Sequence, residues 1–310
     1  MGLFQELKIE KELQDSFITV GVFDGVHLGH KHLMEKLTES ARKNRRSSGI
    51  LTFKNHPATI LNPKFQPNFL TSLETKLALL EATGVDFVSA ITFDEAVAEF
   101  SAKDFLCLLK RKLGMKGLVV GPDFQMGKNR EAGVERLSDL GKEIGFTLEI
   151  IELQQQSGME IRSTVIRNMI STGNMREAST MLGRLYSLRG LVITGMKRGR
   201  LLGFPTANIT FDQEICVPAN GIYATIAIVD GIRYPAATSI GTNPTFNGKE
   251  QTIETYILDF DKDIYGEKIT IEFYDRLRDE LLFENVDDLL VQMKADISTV
   301  KKLTKSGELR

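Results

Sequence analysis

Tryptophan is absent from this 310-residue chain, and cysteine and histidine are scarce, at two and four residues. The two cysteines, Cys107 and Cys216, lie far apart without CxxC or Cys/His spacing, which argues against a zinc site or a disulfide framework and suits a reducing compartment. No sign of charge predominates: 39 Lys and Arg against 41 Asp and Glu leave a net charge of -2, so there is no basic excess to hold a nucleic-acid backbone, and none is expected as partner. A long hydrophobic run is missing too. The start, MGLFQELKIEKELQ, alternates charged and apolar residues and reads as neither signal peptide nor anchor, so a cytoplasmic protein without membrane attachment is expected. All the histidines, His27, His30, His32 and His56, fall within the first 56 residues. Imidazole chemistry therefore belongs to the N-terminal part, and the C-terminal part must work without it.

Hydrophobic periodicity divides what remains into two textures. From Phe17 a β-branched strand, a glycine-punctuated loop, a helix from about His30 to Arg46 and the apolar run Ile50 to Phe53 form a βαβ unit. The alternation continues through a helix at Glu74 to Ala82, a strand at Val85 to Ile91, a helix after Ser101 with Asp104 placed as in a capping box, and strands at Leu118 to Val120 and Thr147 to Ile151. Such alternation predicts a parallel sheet covered on both faces. A helical hairpin, with Asn174 and Glu177 as its capping pair, leads to Gly183. Beyond it come short β-rich runs at Tyr186 to Ile193, Tyr223 to Val229, Tyr234 to Ser239, Ile253 to Phe260 and Lys268 to Phe273. Asp230-Gly231 is a tight-hairpin signal between two of them, and Val286 to Val300 places its apolar residues on one helical face. An antiparallel sheet or barrel closed by a final helix is expected, giving domains at 1–182 and 183–310.

Two strings carry chemistry. GVFDGVHLGH, Gly21 to His30, follows a strand and opens a helix, where backbone N–H groups and the helix dipole attract phosphate. Glycines 21, 25 and 29 permit close approach around Phe23, and His27 and His30 can project to one side to stabilise charge on a phosphate in transfer. A structural role is the plainer reading for His32 and His56, with His56 the better candidate for an exception. Farther on, Ser163 and Thr164 at a helix start with Arg167 one turn later suit an anion clamp, and equally suit an N-cap with a solvated arginine. The second string is GMKRGRLLGFPTAN, Gly195 to Asn208. Its glycines 195, 199 and 203 let amides approach phosphate oxygens while Lys197, Arg198 and Arg200 add charge; no Walker A ending follows. In the strand around Ile253, Glu254 has the chemistry of a general base where histidine is absent, and also the pattern of an outward-facing strand glutamate.

Gly21 to His30 resembles the GxFDGxHxGH form of the HxGH signature in bacterial bifunctional riboflavin kinase/FAD synthetases. Further blocks follow in that family's order: TFKNHP at Thr52, GPDFQMG at Gly121, RSTVIR at Arg162, the PTAN string, GTNPTF at Gly241, IETYILDF at Ile253 and DRLRDELLF at Asp275. The resemblance implies a Rossmann-like nucleotidyltransferase domain, then a six-stranded antiparallel barrel with a C-terminal helix. It implies that His27 and His30 hold ATP phosphates, that Asp123 lies in the flavin-nucleotide site, and that Ser163, Thr164 and Arg167 clamp ATP. In the second domain it implies that Gly195 to Gly203 cover the ATP phosphates, that Thr206 and Asn208 bind Mg2+, that Glu254 is the base and that Arg278 holds the flavin. Riboflavin, FMN, FAD and ATP are the implied partners of a monomer or weak oligomer. Three departures, Lys31, Met126 and Arg162, fall in the N-terminal half and keep open a kinase with a decayed adenylyltransferase domain. A flavin-sensing regulator is the alternative of another class.

Overall fold

The structure is a computed structural model that describes residues 6, 7, 15–152, 155, 156, 158–195, 199, 202–245 and 248–309. It divides into two compact units, Met1–Ser163 and Thr164–Arg310. Among the described residues no helix is long and apolar enough to cross a membrane.

The first unit is built on a sheet of five parallel strands: β1 (Ser16–Val20), β2 (Ser47–Phe53), β3 (Phe87–Ile91), β4 (Met115–Val120) and β5 (Thr147–Ile150), in the order β3-β2-β1-β4-β5. Alternate residues of these strands face opposite sides, and helices cover both. Phe17, Ile50 and Val119 pack with Met34 and Leu37 of α1 (Leu28–Lys43). A one-turn helix, α2 (Ala58–Leu61), precedes α3 (Leu73–Glu81), whose Leu80 joins the same core. After the short α4 (Glu95–Ala98), α5 (Ala102–Leu113) and α6 (Val134–Ile144) press Leu106, Leu109, Leu137 and Leu140 against Ile18, Leu51 and Leu118 on the other face. Of the capping box expected at Ser101 the N-cap half is present, its hydroxyl accepting from Asp104 N (3.1 Å), while the Asp104 carboxylate accepts from that same hydroxyl (2.6 Å). A small hairpin of β6 (Gln155–Gln156) and β7 (Met159–Glu160), unforeseen in the sequence, closes this unit.

Because β1 lies between β2 and β4, the strand order reverses between β1 and β4. Open α/β sheets bind ligands at the carboxyl ends of the strands at such a point. The Gly21 to His30 loop leaves β1 there, and Asp123 follows β4.

The second unit starts with the helical pair α7 (Ser163–Ser171, its first residue shared with the preceding unit) and α8 (Met175–Leu182). Asn174 does not cap α8 with its side chain; its amide instead bonds the Thr172 hydroxyl at 3.3 Å, so the expected capping pair is not formed. Then β8 (Tyr186–Ile193), β9 (Ala207–Thr210), β10 (Gly221–Val229), β11 (Ile232–Thr245), β12 (Gly248–Ile257) and β13 (Lys268–Arg278) close into an antiparallel six-stranded barrel. The Asp230-Gly231 turn takes the left-handed conformations that a tight hairpin requires, with φ of 50° and 77°. Inside the barrel lie Tyr186, Tyr223, Phe273 and three wholly buried threonines. Thr225 donates to Ala236 O (3.1 Å) and lies 2.7 Å from Thr238, which lies 2.9 Å from Thr255, so each hydroxyl is satisfied across three neighbouring strands. The final helix, α9 (Val286–Lys305), packs Val300 and Ile297 on the outer face of β10 and β11.

Candidate active sites

The loop after β1 is held in an expensive shape. Phe23, Gly25 and Val26 all have positive φ, at 52°, 81° and 38°. Only glycine adopts that region freely, and a β-branched residue there is strained. A Cβ on Gly25 would also come within 2.6 Å of the Leu70 side chain. Asp24 supplies the fastening: its carboxylate accepts from Leu70 N (2.9 and 3.0 Å), Thr71 N (3.2 Å) and the Thr71 hydroxyl (3.4 Å). Its own carbonyl accepts from the Ser163 hydroxyl at 2.9 Å. Sequence reading passed over Asp24, whose importance depends on partners 46 residues away.

His27 is the N-cap of α1, and its Nδ1 accepts from His30 N at 3.2 Å. That bond requires Nδ1 to carry a lone pair, so in the neutral ring the proton sits on Nε2 as a donor. The His30 ring stacks on it with centroids 3.6 Å apart and planes 16° from parallel. Burial, and secondarily the neighbouring His27, hold His30 well below the usual imidazole range. Its Nδ1 is sealed from solvent and has no hydrogen-bond partner among the described residues. Two imidazoles and the start of α1 thus meet where β1 ends, an arrangement suited to phosphate.

Around this loop the other expected residues divide. Ile161 O lies 3.3 Å from where a Cβ on Gly29 would stand, so the Ile161 to Ser163 segment flanks the histidines. Asp123 is paired with Arg162 (2.7 Å), which also bonds Glu160 (2.7 Å). Met126 is core: it is 9% exposed, packs with the α5 side of the sheet and bridges Ala132. Methionine there fills an apolar gap. Thr164 and Arg167 lie on α7 in the second unit, where the Arg167 carbonyl accepts weakly from the Cys216 thiol. His32 pairs with Glu35 on the helix surface (3.7 Å). His56 caps Ala58 N (3.0 Å) and stacks on Phe65, centroids 4.9 Å apart, beside Phe69 at 6.0 Å. This aromatic stack at the end of β2 was not legible from the single histidine.

In the barrel, Glu254 shares a face of β12 with Tyr256, while Ile253, Thr255 and Ile257 point into the core. The half-buried glutamate thus does face outward from the barrel, as strand alternation allows, but onto a surface that α9 covers. A cavity of about 290 Å³ lies there, with Glu254 and Thr206 at its polar end, Tyr256, Phe283, Leu289 and Met293 among its apolar walls, and Arg278 at its side. Arg278 is fixed by Asp296 of α9, Nε to Oδ1 at 3.0 Å and Nη2 to Oδ2 at 2.7 Å, and Gln292 supports the same carboxylate at 2.9 Å. Asp296, absent from the sequence reading, is legible only once helix and barrel are brought together.

A second cavity, about 330 Å³, is lined by Thr206, Pro205, Thr255, Phe260 and Lys262. Thr206 borders both cavities, and its hydroxyl donates to Glu254 at 3.1 Å. Asn208 lies directly opposite Glu254 in the β9–β12 register. A methyl group on Gly195 would run into the Asn208 amide, and one on Gly199 into the Phe204 carbonyl. Gly203 has φ of 82°. Arg198 and Arg200, with Lys197, fall outside the described residues. Among the described residues no group of three or more His, Cys, Asp or Glu could hold a metal alone. Hydroxyl and amide oxygens at Thr206 and Asn208 are hard donors, which fits magnesium shared with substrate phosphates.

A parallel α/β unit with two imidazoles at the loop after β1 is thus joined in one chain to a barrel in which Thr206 borders two cavities and bonds Glu254. A family model for FAD synthetase matches residues 9–165 and one for riboflavin kinase matches residues 182–304. The bifunctional riboflavin kinase/FMN adenylyltransferase of Listeria monocytogenes is 36% identical over 283 residues, which cover 90% of this chain and 89% of that protein. Its counterpart in Escherichia coli is 34% identical, covering 92% and 91%. A solved structure described as a macrolide-efflux protein from Streptococcus pneumoniae has TM-score 0.88 at 31% identity, covering 96% of both chains. The chain belongs to the bifunctional riboflavin kinase/FMN adenylyltransferase family.

Proposed function

We propose that the barrel phosphorylates riboflavin to FMN and the α/β unit adenylylates FMN to FAD, each with ATP. The observation that carries the kinase reading is Thr206, which borders both cavities while donating to Glu254. A flavin in the first cavity would bring its ribityl 5'-hydroxyl to the polar end, beside Glu254. Glu254 takes the hydroxyl proton, the freed oxygen bonds to the γ-phosphorus of ATP from the second cavity, and the bond to ADP breaks. Because the Thr206 proton is committed to Glu254, its lone pairs remain for a cation. Thr206 and Asn208 would hold Mg2+, which neutralises charge on the phosphate oxygens.

In the α/β unit an FMN phosphate oxygen attacks the α-phosphorus of ATP and pyrophosphate leaves. No hydroxyl needs deprotonating, so the site works by placement and charge stabilisation. His27 offers Nε2–H and His30 a neutral imidazole; the His56, Phe65 and Phe69 stack suits the planar flavin ring. The paired Arg162 and Asp123 stand beside Ser163 at the same edge, and the guanidinium has a further N–H face for a phosphate oxygen.

Incubation with riboflavin, ATP and Mg2+, followed by chromatography, tests both halves. FMN and then FAD should accumulate. FMN alone would leave a kinase with an inactive first unit, and neither product would leave a flavin-binding protein.

A further inference from the structure

The cavity beside Glu254 is closed on one side by a piece of chain that belongs to no strand or helix. Residues 279–285 run from the end of β13 to α9, and within them Glu280, Leu281 and Phe283 line that cavity. Apolar packing does little to hold this wall, since Leu281 is half exposed and Leu282 fully exposed. Polar ties at its ends set its place instead. At the far end Asn285 caps α9 by accepting from Asp288 N at 2.9 Å. At the near end Arg276 Nη2 bonds both the Asp279 carboxylate (2.6 Å) and the Asn220 carbonyl. The Asn220 side chain then reaches the next residue, its Nδ2 donating to Glu280 Oε2 at 3.1 Å. Asn220, just ahead of β10, is itself held: Nδ2 also donates to Thr242 of β11 (2.7 Å), and Oδ1 accepts from Gln251 of β12 (3.3 Å). A carboxylate can only accept, so the amide must turn its NH2 toward Glu280, and both N–H groups are in use. The Glu280 carboxylate also lies close on β11, where a Cβ on Gly241 would run into Oε1.

We infer that Glu280 is a positioning residue for riboflavin: bonded to Asn220 and seated on Gly241, it holds Leu281 and Phe283 over the flavin ring. It acts through those two side chains and takes no part in phosphoryl transfer. The inference rests on the proposed binding of riboflavin in this cavity. With the ribityl chain directed at Glu254, the ring lies among the apolar walls, of which Phe283 is one. An exposed glutamate kept only for solubility would have no need of an oriented amide or of a glycine beneath it.

The test uses the full-length chain. Glu280→Ala should raise KM for riboflavin about fivefold or more, while kcat at saturating riboflavin and the flavin-free thermal midpoint hold. Lumichrome, the flavin ring without its ribityl chain, should lose affinity by a similar factor in a fluorescence titration, because the wall meets the ring. Asn220→Asp keeps the acceptor for Gln251 but sets a carboxylate against Glu280, so it should weaken both ligands at least as much. Adding Glu280→Gln to Asn220→Asp exchanges donor and acceptor, and affinity should return. Parental affinity in Glu280→Ala would overturn the inference, as would a fall in kcat as large as the rise in KM, or a double variant that does not recover. If the unaltered chain binds lumichrome but makes no FMN, the proposed kinase activity fails instead, and the titrations still decide the role of Glu280. An unaltered chain that binds neither lumichrome nor riboflavin would overturn both.

Discussion

In the proposed mechanism the chemistry turns on two side chains, His27 and Glu254, each serving one reaction. His27→Ala removes a donor at the phosphate loop and the N-cap acceptor of α1 together. FAD formation should fall about 10²-fold or more while riboflavin phosphorylation is retained. Glu254→Gln nearly preserves shape and removes the base, so FMN formation should fall by about 10²-fold or more and FAD synthesis from added FMN should continue. Parallel assays with riboflavin and with FMN check both variants. His30 adds a pH dependence. Its folded pKa is depressed, so below the unfolded value of about 6.5 the unfolded chain gains a proton that the folded chain resists. Stability should therefore rise with pH through that window and drop below it, by at most about 1.4 kcal/mol per pH unit from this residue. Urea titrations of the first unit's transition at pH 5.5 and 7.5 should show the difference, and His30→Asn should shrink it.

Elements with strong local signals were legible in the sequence. The loop after β1, the Ser101 cap, the Asp230-Gly231 turn and the span of β8 all follow from chemistry within a few residues. The strand β9 did not, because Ala207–Thr210 is short and begins inside a string read for its phosphate chemistry. Distance along the chain hid the supporting residues of the sites: Asp24 against Leu70 and Thr71, Arg162 against Asp123, and Asp296 against Arg278 have no mutual pattern before folding. Asn174 shows the reverse failure, a local signal whose side chain found a nearer partner. The barrel's threonine row likewise emerges only from strand register. Thr238→Val would leave Thr225 and Thr255 without their shared neighbour and should cost about 1–3 kcal/mol, measured by urea unfolding of the barrel.

The whole chain carries two compact units, and the helical pair between the two signatures decides how they may be cut. Met175, Ala178, Met181 and Leu182 of α8 are buried, and α8 packs on β8 and β13. A fragment 164–310 should therefore unfold cooperatively and phosphorylate riboflavin, whereas 183–310, which starts where the β texture begins, should melt at a lower temperature. Calorimetry of both fragments makes the comparison. The two sheets also differ in how they end. In the barrel β8 and β13 pair and every strand has two neighbours, whereas the first unit's sheet stops at β3 and β5. Unpaired strand edges offer backbone groups on which another chain can stack. Heating should thus seed aggregates through the α/β unit, and the protease-resistant core of such deposits should contain β3 or β5 sequences, leaving the barrel to be digested away or recovered in solution.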